Sequence, residues 1–258
     1  MESLVSIVIP THNSETSVLD TLESVRDQTH RDWECVIVDD GSQDKTVEIV
    51  RLFIQSDPRF KLETFQKNKG PSAARNFAIE KSKGRCIAFL DSDDLWHPEK
   101  LERQLAFMKE KNAAFTFTAY KFSSPSGVRQ QFFNVPAEVA YKDILKSCPI
   151  SCSTIIYDTK MLGKVYMPSI LKRQDYGLCL RLLKLTPKAF GLDEFLSEIL
   201  IRPGSVSFQK WKAAQYQWQV YRDVENLSLL SSLYNFSHYA YRGVRKYGLS
   251  RLVSKPGK

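Results

Sequence analysis

Residues 85–98, RCIAFLDSDDLWHP, carry an apolar run without a break into three carboxylates. A short apolar stretch bounded by turn-forming residues reads as a buried strand, Arg85–Leu90, that ends at Asp91-Ser92-Asp93-Asp94. Upstream, Pro71–Lys81 has the spacing of a helix with proline at its first position. Before it come a strand at Phe60–Phe65, a helix at Thr46–Gln55, and a strand at Trp33–Val38 that ends in Asp39-Asp40-Gly41-Ser42. Farther back, Glu15–Gln28 places Val18, Leu19, Leu22 and Val25 on one helical face, and Leu4–Ile9 is a strand running into Pro10-Thr11-His12-Asn13. Downstream, Pro98–Lys111 is again helical. Strands alternating with helices over short links predict a doubly wound, mostly parallel α/β sheet. After Ala113 the pattern loosens, with strands at Phe115–Phe122, Ser153–Tyr157 and Ala189–Leu192 and a helix at Tyr176–Lys184. From about Gln209 the chain reads as helical. The expected organisation is one domain over 1–207, with halves 1–112 and 113–207, and a helical C-terminal appendage over 208–258.

The 258 residues are 43% apolar and 26% charged, an ordinary globular composition. No apolar run approaches the ~18 residues of a membrane span. The amino terminus enters a strand pattern at once, without a basic segment and apolar stretch of the signal-peptide kind, so a cytoplasmic location is expected. Five cysteines, mostly in apolar segments, read as reduced and buried thiols. Cys148 and Cys152 are the one close pair, and no second pair or histidine cluster completes a zinc site.

Charge is unevenly distributed. Residues 206–258 hold nine Lys/Arg and two Asp/Glu, which leaves the first 205 residues at +1 of the total +8. A nearly neutral body argues against a nucleic-acid binder, which would spread basic and aromatic residues over its face. The basic tail is instead expected to meet an anionic surface.

In open parallel sheets, ligands bind beyond the carboxyl ends of the strands. Helix capping accounts for one polar residue per junction. It does not account for two acidic clusters, whose repulsion requires a cation or hydrogen-bond donors. Asp-x-Asp at a strand end suits a hard divalent ion, Mn²⁺ or Mg²⁺, held by carboxylates and substrate phosphates. Neither G-x-G-x-x-G nor G-x-x-x-x-G-K-[ST] occurs, so the phosphates are not expected in a glycine loop.

The blocks SIVIPTHNSE, VDDGSQDKT, GPSAARNFAI and FLDSDDLWHPEKL, in order and at family spacing over residues 4–105, resemble the family-2 inverting glycosyltransferases of GT-A fold. Arg173-Gln174-Asp175-Tyr176 with Leu178 and Leu180-Arg181-Leu182 resembles that family's Glu-Asp-x-x-Leu-Trp-Leu-Arg segment. Ile201-Arg202-Pro203-Gly204-Ser205-Val206-Ser207 resembles its Arg-x-[His/Arg]-x-Gly-Ser-[Val/Ile]-Ser block. That block and Trp218-x-Val220-Tyr221-Arg222 are similar to members that build bacterial O-antigen, capsule and teichuronic-acid-like polymers.

The resemblance implies a nucleotide-binding half (1–112), an acceptor half (113–207) and roles for single residues. Pro10, Thr11, Asn13 and Glu15 would edge the nucleotide pocket, and Asp40 would accept from a pyrimidine base, favouring UDP. Arg75 would reach base or phosphate, Asp91 and Ser92 the ribose and sugar, and Arg202 the diphosphate. Asp93 would ligate the metal. Asp175 would be the base that takes the acceptor hydroxyl proton. The residues alone leave alternatives: Arg75 as a helix-surface arginine, Asp94 and Asp175 as helix caps, Trp96 as packing beneath the acidic turn. The expected activity is metal-dependent transfer from a nucleotide-sugar to a growing envelope glycan, lipid-linked O-antigen or capsule. A silent sugar-nucleotide-binding module and a sugar-1-phosphate nucleotidyltransferase are the rivals, though the latter expects a Gly-rich, Arg-containing loop after the first strand. Leu229, Leu230, Leu233, Phe236 and Ala240 recur at helical spacing ahead of Arg242, Arg245, Lys246, Arg251, Lys255 and Lys258. Such a tail suits an interfacial helix, and so a peripheral position at the inner face of the plasma membrane. The alternative is a face packed on the domain.

Overall fold

A computed structural model describes residues 4–123, 130–170, 172–200 and 210–253, the stretches 210–212 and 242–253 by backbone alone. β1 (Val5–Thr11), β2 (Trp33–Asp39), β3 (Phe60–Thr64) and β4 (Cys86–Phe89) lie in the order β3-β2-β1-β4, all parallel. The links between them carry α1 (Val18–Arg26), α2 (Thr46–Ile54) and α3 (Pro71–Lys81). α4 (Lys100–Glu110) follows, and α7 (Gln174–Leu185) comes later in the chain.

Alternate strand residues feed two cores, as the two-residue side-chain period of a strand requires. Ile7, Ile9, Cys35, Ile37 and Ala88 pack with α1, α2 and α4, while Val8, Val36, Val38, Ile87 and Phe89 pack with α3 and α7. The sheet is therefore covered on both faces. β2 lies on one side of β1 and β4 on the other, so a crevice opens at their carboxyl ends, where ligands enter such sheets.

The second half of the sheet is mixed. β9 (Ile156–Asp158) runs antiparallel to both β4 and β6 (Phe115–Ser123), and β6 pairs in parallel with β10 (Ala189–Leu200). β9 is three residues long and follows a single 3-10 turn, Cys152–Thr154, directly. Two-residue β5 (Leu95–Trp96) and β8 (Glu138–Val139) add to β10, and β7 (Gln130–Phe133) adds to β6. α5 (Tyr141–Lys146) and α6 (Thr159–Leu162) are short connectors.

The C-terminal segment comprises α8 (Lys210–Gln219), a π-helical turn (Val220–Val224) and α9 (Leu229–Val253). Val220 and Tyr221 are fully buried in the α3–α7 core, and the Tyr221 hydroxyl donates to Leu145 O. Glu225 accepts from the Tyr141 hydroxyl and pairs with Lys184 Nζ at 2.7 Å. The segment is thus docked on α5 and α7. The apolar positions of α9 divide: Phe236 packs against the core, while Leu229, Leu230 and Leu233 stay exposed, Leu230 by 80%. Among the described residues no helix is long and apolar enough to cross a membrane. The expected boundary at 207/208, and Arg202 with its block, lie outside the described residues.

Candidate active site

The acidic turn follows β4 at the crevice. Asp91 Oδ1 accepts from the Arg75 guanidinium at 2.5 Å. Arg75 is a buried residue of α3 rather than a surface arginine. Burial alone would lower its pKa; Asp91 and, more weakly, Asp175 outweigh it and push it up. The buried Arg75 Nε has no hydrogen-bond partner among the described residues, and an anionic ligand oxygen could accept from it.

Asp94 does not cap a helix. It is buried, its Oδ2 accepts from Ser153 Oγ at 2.5 Å, and its Oδ1 accepts from the Leu200 N–H at 3.3 Å. Burial and the charges of Asp91 and Asp93 push it well above the usual carboxylate range. Ser153 Oγ also accepts from the Asp91 N–H, and Ser153 O accepts from Trp96 Nε1 and Ser197 Oγ. Trp96 thus lies under the turn as expected, with Ser153 as the hub that ties the turn to β10. Ser92 is locked from the other side: its Oγ meets Ser14 Oγ at 2.8 Å, and its O accepts from Ser17 Oγ.

The first two strand ends brace one another. Thr11 Oγ1 donates to Asp39 Oδ1, the Ser42 N–H donates to Asp39 Oδ2, and the Asp40 N–H donates to Thr11 O. Pro10 is buried beside Val38. Gly41 has φ +73°, and a Cβ there would sit 2.8 Å from Lys67 C, so only glycine admits this turn. Asp40 is almost wholly covered and accepts from the Lys69 and Gly70 N–H groups at 2.6 and 2.8 Å. Asn13 Oδ1 accepts from the Gln43 N–H, and Glu15 Oε2 from the Lys45 N–H. Glu15 lies on an open depression of about 740 Å³ with Asp44, Lys45, Glu48 and Arg51; neither Asp91 nor Asp175 lines it.

Asp175 occupies the first turn of α7, with Arg173 as the preceding cap residue, so it is not itself the cap. Its charge is felt by Arg75 and by buried Cys152, as is that of Asp91. The fold therefore pairs Arg75 with Asp91 and sets the Asp175 charge within electrostatic reach of that pair. α3 arranges this: Asn76 exchanges two hydrogen bonds with the Met167 backbone at 2.7 and 3.0 Å, and Ser72 Oγ donates to Pro168 O. Ser72 and Asn76, four apart on one helix face, flank Arg75 and hold the chain that leads to Asp175. Sequence reasoning missed Ser72, Ser153 and the holding role of Asn76; the polar run Ser151-Cys152-Ser153-Thr154 ahead of an apolar strand was the available signal for Ser153.

Among the described residues no three His, Cys, Asp or Glu side chains converge as a self-sufficient metal cage. The acidic turn offers Asp91 and Asp93, and one or two carboxylates with substrate phosphates and water are the donor set Mg²⁺ and Mn²⁺ take. The residues fit such an ion.

An α/β sheet covered by helices on both faces, with an acidic turn and a remote carboxylate at its switch-point edge, is the architecture of GT-A glycosyltransferases. Residues 6–165 match the family described as Glycosyl transferase family 2. The chain is 41% identical over 244 residues to TuaG of Bacillus subtilis (strain 168), a glycosyltransferase named for teichuronic acid biosynthesis, covering 94% of this chain and 97% of TuaG. It is 36% identical over 246 residues to WfgD of Escherichia coli, a UDP-Glc:alpha-D-GlcNAc-diphosphoundecaprenol beta-1,3-glucosyltransferase, covering 95% of each. Among solved structures, Staphylococcus aureus TarS 1–349 with UDP-GlcNAc superimposes with a TM-score of 0.70 at 24% identity, covering 93% of this chain and 72% of that one. The Pyrobaculum calidifontis mannosyltransferase PcManGT, with GDP-Man and Mn²⁺, gives 0.69 at 14% identity, covering 99% and 82%. The chain belongs to glycosyltransferase family 2 and is a glycosyltransferase.

Proposed function

We propose that the protein transfers a sugar from a UDP-sugar to a lipid-linked glycan of the cell envelope, an O-antigen or capsule repeat unit, with inversion at the anomeric carbon and with Mn²⁺ or Mg²⁺. The observation that carries this reading is the buried Arg75 ion-paired with Asp91 of the acidic turn, with the Asp175 charge within electrostatic reach of it. In the displacement, the acceptor oxygen bonds to the anomeric carbon as the bond from that carbon to the diphosphate breaks. The hydroxyl proton passes to the Asp175 carboxylate. Arg75, with its unpartnered Nε, holds the donor's anionic side, and Asp91 the ribose and sugar side with Ser92 behind it. Asp93 and Asp91 would hold the ion, which when bound neutralises charge on the departing diphosphate. Pro10, Thr11, Asn13 and Glu15 frame the nucleotide side. Each Asp40 oxygen carries a second lone pair, the acceptor that a uracil N3–H needs. Arg202 is assigned to the diphosphate on its sequence block alone.

The acceptor class follows the relative WfgD, named for a diphosphoundecaprenol substrate. Exposed Leu229, Leu230, Leu233, Tyr234 and Tyr241 on α9, ahead of a basic tail, support peripheral seating on an anionic membrane at the cytoplasmic face.

The test is a panel of nucleotide sugars scored by thermal stabilisation with Mn²⁺ or with chelator. Stabilisation by a UDP-sugar should require the ion and vanish in Asp93→Ala. Asp175→Asn should keep donor binding and lose turnover by about 10²-fold or more. Binding unaffected by chelator removes the metal role, and turnover within tenfold of wild type removes Asp175 as base. A silent binding module would bind donor yet release no UDP.

A further inference from the structure

Arg173, two residues before Asp175, has φ +62°. Four described non-glycine residues have positive φ, and the other three are asparagines, which tolerate that region. An arginine there persists only where its surroundings hold it. The Arg173 guanidinium donates to the Tyr239 hydroxyl at 2.8 Å and lies 5.3 Å from the centroid of the Tyr239 ring. Tyr239 belongs to α9, and its ring packs 5.9 Å from that of Phe236, which is itself seated on the core. Arg173 O accepts from the Gly177 N–H and so closes the first turn of α7, the turn that carries Asp175.

We infer that Arg173 and Tyr239 are positioning residues for Asp175. The entry to α7 is held on one side by α3, through Asn76 and Ser72, and on the other by the C-terminal helix through this contact. The α3 ties belong to the sheet domain. The Tyr239 tie makes α9 part of the apparatus that aims the carboxylate at the acceptor proton. The inference rests on the reading of Asp175 as base. It assigns the C-terminal helix a role in turnover that is separate from any membrane contact.

The test uses full-length protein, UDP-glucose with Mn²⁺ as the donor probe, and water as acceptor. Tyr239→Phe keeps the ring and loses the hydroxyl; Arg173→Asn keeps the backbone region and loses the guanidinium. Each should lower the rate of UDP release by about tenfold or more while UDP affinity stays within twofold, because misplaced catalytic groups cost rate rather than ground-state binding. The double variant should lose no more than the worse single one. Hydrogen–deuterium exchange over residues 172–178, the Gly177 amide included, should accelerate in both variants and not in Ser237→Ala, an exposed control on the same helix. Wild-type exchange in Tyr239→Phe, or losses of UDP affinity and rate in parallel, overturns the inference. If the wild type binds UDP but releases none from UDP-glucose in water, glucose is not a sugar it hydrolyses, and the exchange measurement alone decides the positioning role.

Discussion

Glu34 shows how a single side chain can hold sheet and helix in register. It is a buried carboxylate inside β2, accepting from Ser6 Oγ at 2.7 Å, the Lys83 N–H at 2.5 Å and Lys61 Nζ at 2.5 Å. Burial by itself would raise its pKa; the Lys61, Ser6 and Lys83 hydrogen bonds outweigh it and hold the carboxyl below its usual value. A carboxylate with a depressed folded pKa stabilises the protein above the unfolded value and loses that contribution as pH falls through the folded one. Glu34→Gln should therefore cost about 1–3 kcal/mol at pH 7, the range for leaving buried donors short of a charged acceptor. The difference should shrink as pH falls below the ordinary glutamate range, through the depressed folded pKa at which the wild-type carboxyl protonates. Urea unfolding at pH 7 and at that lower pH measures it, and an equal difference at both would refute the ionic account. Nothing in the sequence marks Glu34, because its partners come from strands and a loop far along the chain. The partners of Ser153 and Asp94 are likewise set by the fold, although Asp94 itself stands out in the acidic turn. Polar residues inside apolar runs are visible in a sequence, but the identity of their partners is a property of the fold.

Elements were legible where local chemistry and period agree. α3 begins at Pro71 as its proline predicts, and β1, β2 and β4 lie within two residues of their apolar runs. The antiparallel insertion of β9 was not legible, since a three-residue strand carries no directional signal. α7 starts two residues earlier than its apolar spacing suggests, because Arg173 supplies an unusual cap conformation that no propensity anticipates. Its packing makes a prediction at this scale. Gly177 lies in the helix, where propensity alone favours alanine by about 1 kcal/mol. A Cβ there would sit 2.4 Å from Pro168 Cγ, within a ring that cannot swing aside. The clash should win: Gly177→Ala should destabilise by about 1–3 kcal/mol. It should also lower turnover, since α7 and the Met167–Pro168 chain must separate and Asp175 moves with α7. A raised melting temperature with undiminished turnover would show that the contact relaxes freely.

At the scale of the whole molecule, the site lies at the carboxyl edge of a sheet whose body is nearly neutral, and the excess positive charge follows in the tail. The sequence foretold both the edge and the charge, but not which face of α9 turns outward. A core-facing amphipathic helix buries its leucines; here Ser232 and Asn235 are buried while Leu229, Leu230, Leu233 and Tyr241 are exposed by 51–80%. That inversion suits a helix with one side on the domain and the other at a lipid interface. Leu230→Ser with Leu233→Ser should leave the melting temperature within about 2 °C, since surface substitutions change stability little. The same pair should lower partitioning onto vesicles of phosphatidylcholine and phosphatidylglycerol by at least about tenfold, because fully burying even one leucine is worth about 1.5–3 kcal/mol. Salt should weaken what remains, as basic side chains near an anionic leaflet contribute about 1 kcal/mol each within a Debye length. UDP binding should be the same in both proteins, so a failure here leaves the donor site untouched. Co-sedimentation of wild type and variant at low and high salt, with phosphatidylcholine vesicles as the neutral control, separates the contributions. If the two partition equally, the leucines do not enter the interface; if neither binds anionic vesicles, α9 does not meet the membrane at all.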